Sequence, residues 1–153
     1  MPYPSLPAYP DLDAPLRDAL VGDAGVIALL PVYKGSFPVF TRRPVPPDAE
    51  YPMIVVSPDI TKSDEDGADM IAPRITRDVA AYGRNDEPAN YRAVEALARA
   101  VHDLFHRNEV ALSVDDYDVA SIAATGPRPG PTDDEALVAR IVTLNILLVA
   151  QQS

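Results

Sequence analysis

Apolar residues along the chain change period several times, and each period predicts an element. Leu12, Leu16 and Leu20 stand four apart with Ala19 beside them, the spacing of one buried helix face. Asp13 suits the N-cap of that helix and Pro15 its first turn, where a missing N–H costs nothing. Gly22 should end it. Asp23 can cap a second short helix carrying Val26, Ile27, Leu29 and Leu30, stopped before Pro31. From Val32 the pattern turns to strands. Val32-Tyr33 and residues 37–40 are short candidates interrupted by Gly35 and Pro38, and the proline-rich 42–47 is a rigid connection. Residues 51–56 form a continuous apolar run, as in a strand covered on both faces. Residues 61–69 read as an exposed acidic turn. Ile71, Ile75 and Val79 then alternate with Arg74, Thr76 and Asp78, giving a half-buried strand that ends near Tyr82. Pro73 places its start, or its whole length, at a sheet edge.

The strongest helix is predicted over 87–107. Val94, Leu97, Val101, Leu104 and Phe105 share one face, while Glu95, Arg99, Asp103 and Arg107 form an i,i+4 charge ladder on the other. Asn108 is a natural left-handed stop. Two strands close the chain, about 110–122 and 136–151, separated by a loop containing Gly126-Pro127-Arg128-Pro129-Gly130-Pro131. One long helix and short N-terminal helices packed on a mostly antiparallel or mixed sheet make an α+β domain over 13–153. The last strand is apolar on both faces, and fifteen residues at ~3.3 Å each extend to roughly 50 Å. Such a strand either bends, bulges or continues onto a partner, which makes Ile146 and Leu148 candidate interface residues.

Residues 1–12 precede that domain as an extended segment, read either as a frayed chain end or as an arm. Pro2, Pro4, Pro7 and Pro10 block helix and favour an extended path. Tyr3, Leu6 and Tyr9 recur every third residue, a period that aligns one face of a polyproline II segment, so these three are candidates for contact with a neighbouring subunit.

Composition narrows the function. The 153 residues are 47% hydrophobic and 24% charged, as in a folded globular domain. No apolar stretch approaches a bilayer span, and Met1-Pro2-Tyr3-Pro4 lacks the basic start and apolar run of a signal peptide. With no cysteine there is no disulfide framework and no thiol nucleophile. A formal net charge of −10 disfavours binding to phosphate backbones, so sequence-specific DNA binding is not expected.

Candidate chemistry is sparse. Phosphate-loop, dinucleotide-fold and serine-elbow signatures are absent. His102 and His106 stand four apart on the main helix, the spacing with which two imidazoles share a zinc ion. Asp103 follows His102, but it belongs to the charge ladder, and no third ligand is nominated. The reading that fits better is two polar residues flanking a buried stripe, with no metal. Asp64-Glu65-Asp66-Gly67 resembles part of a calcium loop, yet aligning Gly67 as its sixth position puts Lys62 first and Pro73 twelfth, where carboxylates are required. Asp115, Asp116 and Asp118 read as solvated. No cofactor and no catalytic residue is expected.

The order of these features resembles the small phage tail-terminator or tail-completion proteins, including tail-to-head joining proteins. It runs from Leu16-Arg17-Asp18-Ala19-Leu20 and Asp23-Ala24-Gly25-Val26 through Tyr51-Pro52-Met53-Ile54-Val55-Val56-Ser57 and Arg77-Asp78-Val79-Ala80-Ala81-Tyr82. Ala96-Leu97-Ala98-Arg99-Ala100-Val101, Asp116-Tyr117-Asp118 and the final long strand complete it. The resemblance implies a non-enzymatic virion protein, assembled in the host cytoplasm as a hexameric ring. It implies contacts with the tail tube protein and with the head–tail connector or neck protein, while DNA passes the lumen without specific binding. A neighbouring neck or head-completion protein is the near alternative; a small metal-dependent enzyme using His102 and His106 is the distant one. The proline-rich start and the 126–131 loop depart from the family pattern.

Overall fold

The computed structural model describes residues 9–41, 44–67, 70–132 and 134–151. Among them, helices α1 (Asp13–Gly22) and α2 (Ala24–Ile27) are followed by strands β1 (Val39–Phe40), β2 (Met53–Val56), β3 (Thr61–Asp64) and β4 (Pro73–Arg84). The long helix α3 (Pro88–Phe105) and strands β5 (Tyr117–Pro129) and β6 (Leu137–Ala150) complete the order. The six strands make one sheet, ordered β1-β2-β4-β6-β5, with β3 also paired to β4. Only β1–β2 is parallel; the other pairings are antiparallel. This is the α+β architecture that the hydrophobic pattern predicts.

Helix α1 forms because its apolar residues fall on one side: Leu12, Leu16 and Leu20 are fully buried. Each such leucine contributes roughly 1.5–3 kcal/mol of burial. Asp23 caps α2 as expected, its Oδ2 accepting the Val26 N–H at 3.0 Å. Asp13 is the first residue of α1 rather than its cap. In α3, Pro88 sits in the first turn, and Val94, Leu97, Ala98, Val101 and Phe105 are buried. The close seat of α3 on β4 needs Gly83, where a Cβ would fall 2.2 Å from Val94 Cγ2. The left-handed stop is taken by Arg107 (φ 56°) instead of Asn108. Asn108 closes the helix differently, donating its side-chain amide to the Leu104 carbonyl at 2.8 Å. The ladder residues are exposed, and Glu95 turns to Arg140 of β6, 3.4 Å away.

Three expectations are corrected. The segment read as an acidic turn contains β3, exposed along its whole length, because backbone pairing to Pro73–Thr76 needs no apolar side chain. The strand predicted over 110–122 starts later and runs through the predicted loop to Pro129, while Glu109–Ala111 is a 3-10 turn. Proline is tolerated there because β5 is an edge strand, and its register shifts between Val119 and Ser121 and between Thr125 and Arg128. Third, β6 is long because β4 and β5 flank it over nearly the same length. No neighbouring copy is required to cover Ile146 and Leu148. Both are fully buried in the chain's own core, in one cluster with Leu97, Val101 and Phe105.

Candidate functional site

The register separates two faces of the sheet. Ile75, Val79 and Ala81 of β4, with Val142, Leu144 and Ile146 of β6, lie on the face that meets the helices. On the opposite face stand Met53, Val55, Ala80, Tyr82, Ala139 and Ile141 in its apolar half, and Arg74, Asp78, Thr143 and Asn145 in its polar half.

The polar half is a hydrogen-bonded lattice. Thr143 donates its hydroxyl to Asp78 at 2.6 Å, and Arg128 approaches the same carboxylate at 3.4 Å. Arg74 bridges Asn145 at 2.6 Å and Glu65 at 2.7 Å. That guanidinium, donating to Glu65, holds the Glu65 carboxyl below its ordinary value. Over the apolar half lies a hollow of about 840 Å³, reaching from Lys62 and Asp59 across Val55, Ala80 and Tyr82 to Ile141. A second, of about 360 Å³, continues from Val55 and Tyr82 to Pro131 and Leu137. Their shared walls make them one trough.

A charge cluster guards one end of the trough. Arg77 has the same strand parity as Ile75 and Val79, so its side chain enters the helix-covered face, and the residue is only 4% exposed. It donates Nε–H to Asp59 at 2.6 Å and Nη1–H to Asp13 at 2.5 Å and to the Ser57 carbonyl at 3.0 Å. Burial alone would lower its pKa; the hydrogen bonds it donates to the two carboxylates outweigh that and raise it. Arg77 thus pins the start of α1 to the gap between β2 and β3. The sequence carried a signal for it: an arginine in phase with buried positions of an alternating strand.

Of the candidate arm residues, Tyr3 and Leu6 lie outside the described residues. Tyr9 is 47% exposed, with the Lys62 ammonium 4.4 Å from its ring centroid. Its phenol is pushed up by partial burial and then by Asp59 and Asp64. The arm's last residues already belong to the domain, since Pro10 and Leu12 are buried. Ile146 and Leu148 lie in the buried core cluster that also holds Leu12, and Tyr9 is not among the residues of that cluster or those packed against it.

The two histidines stack, with ring centroids 4.9 Å apart. His106 Nδ1 accepts the Ala124 N–H at 3.0 Å, which ties the end of α3 to β5, and His102 Nδ1 lies 3.1 Å from Asp103. Both are therefore engaged in local structure. Among the described residues no group of three or more His, Asp or Glu side chains could hold a metal ion. No helix there is long and apolar enough to cross a membrane.

No protein-family model matches the sequence, and no curated protein matches it. The fold, however, is shared with a chain of a solved structure described as the virion of a native gene transfer agent (GTA) particle. The likeness has a TM-score of 0.71 at 15% identity and covers 91% of this chain and 95% of that one.

Proposed function

We propose that this protein is a non-catalytic structural subunit of a phage-type virion. In this reading it forms a ring on the finished end of the tail tube, stops further tube subunits adding, and joins the tail to the head connector. The observation that carries the reading is the fold held in common with a GTA virion chain over nearly the full length of both. The order of sequence features that resembles tail-terminator proteins supports the finer assignment. Physical properties agree with it. A net charge of −10 lets DNA slide past without adhering, and a closed ring requires two different complementary patches on each copy.

Light scattering at several concentrations, combined with negative-stain imaging, tests the assembly. The expected result is a closed ring of six copies. A monomer at every concentration, in the presence of tube protein as well as alone, contradicts it. Rings that bind the connector but never the tube end would move the protein to the neighbouring neck.

A further inference from the structure

Strand β5 ends the sheet, so one of its edges has no strand beside it. Such an edge is a template for pairing with another chain unless it is blunted. Toward its end Pro127 and Pro129 offer no N–H, and the register shifts nearby. In its middle the turn after α3 does the covering. Arg107 donates its N–H to the Ile122 carbonyl at 2.9 Å, as a neighbouring strand would. Two residues on, the Ala124 N–H needs an acceptor on the same side, and His106 Nδ1 supplies it at 3.0 Å. An imidazole nitrogen thus stands where a strand would place a carbonyl. We propose that His106 is a proton-controlled latch: the neutral ring closes the middle of the β5 edge, and protonation releases Ala124 and opens it.

The chemistry follows from which atom carries the proton. A backbone N–H can only donate, so the Nδ1 facing it holds a lone pair and the ring's own proton sits on Nε2. A second proton turns Nδ1 into a donor facing a donor, and the two must part. Ala124 is buried, so its N–H cannot turn to water while the turn stays in place. The turn's other anchor, Arg107, reaches Ile122 from a left-handed conformation (φ 56°) that arginine adopts less readily than glycine or asparagine. His106 itself is half-buried, within reach of solvent protons. On α3 its ring stacks on His102, which lies 3.1 Å from Asp103. Arg107 follows it in the chain, and Glu109 stands in the 3-10 turn beyond. The strands there are uncharged: residues 122–125 of β5 pair with 143–146 of β6. Histidine changes charge in a range where ordinary carboxylates stay ionised, so the latch responds where the ion pairs of the sheet do not. His102 titrates in that range as well, and a test must separate the two rings. The latch belongs to a single chain and does not depend on a place in a virion.

Amide hydrogen exchange of the full chain, read residue by residue by NMR between about pH 8 and pH 5, tests it. After correction for the intrinsic pH dependence of exchange, protection of Ala124 should fall several-fold in step with the titration of the His106 ring. Val101, inside α3, should keep its protection throughout. In His106→Asn the side-chain Oδ1 takes the place of Nδ1 and cannot be protonated, so Ala124 should stay protected across the range. In His106→Ala that protection should be lost at every pH, and His102→Gln should leave the wild-type response in place. Constant protection of Ala124 in the wild-type chain overturns the proposal. So does a fall with pH that persists in His106→Asn, wild-type protection in His106→Ala, or a response that vanishes in His102→Gln.

Discussion

The two faces of the sheet solve the problem of apolar surface differently. On one, α1 and α3 close over Ile75, Val79, Leu144 and Ile146, which reach essentially zero exposure. On the other no described helix lies over Val55, Ala80 and Ile141; loops wall the apolar strip, and a trough stays open above it. The first face makes the fold self-sufficient, so its residues are poor candidates for contact with other molecules. The second face is buried too, with Val55 5%, Ala80 7% and Ile141 9% exposed, but it borders an open hollow instead of a packed helix.

Substitutions separate the two faces, beginning with the largest effect. Ile146→Asp should destabilise the protein by ~4 kcal/mol or more, because the carboxylate has no water and no partner in the helix-covered core. Urea unfolding reads this directly, and a near-wild-type midpoint would mean that the core is misplaced. Arg77→Met leaves Asp13 and Asp59 facing each other without their cation. The cost should be about 2–3 kcal/mol, below the full penalty for breaking a buried pair because both carboxylates keep some contact with water. Combining Arg77→Met with Asp13→Asn and Asp59→Asn should recover part of the loss in the same unfolding experiment. Val55→Asp, on the trough face, should cost only about 1–2 kcal/mol, since its charge can turn to water in the hollow. Equal losses at Val55 and Ile146 would erase the distinction between the faces.

The smallest effect is electrostatic. Arg74 depresses the Glu65 carboxyl, so the pair's contribution is complete above the ordinary glutamate value of about 4.3. It fades as pH falls through the lower folded value. Carboxyl titration by NMR should show Glu65 midpoints below 4.3 and a return toward that value in Arg74→Gln.

Helices were legible because one buried face forces a spacing of three and four, as in Leu12, Leu16 and Leu20 or Val94, Leu97 and Val101. The continuous apolar run around Ile54 and the alternation around Val79 revealed β2 and β4 for the corresponding reason. Strand β3 was invisible because every side chain in it is exposed; only backbone pairing defines it, and side-chain patterns do not encode that. The limits of β5 were missed because glycine and proline signal a loop, yet an edge strand with register shifts accepts both. Ile146 and Leu148 misled for another reason. An apolar strand demands cover, but its sequence does not say whether the cover is a partner or the chain's own α3. Arg77 could have been found from its phase. The trough could not, because its walls come from segments far apart in sequence, joined only by the fold.

The central proposal, a subunit that caps a tail tube, is tested most directly by tube length. Tube protein polymerised with rising amounts of the purified chain should give tubes that shorten and then stop growing, each with density added at one end in electron micrographs. Tubes that grow to the same length with bare ends at every ratio would contradict it.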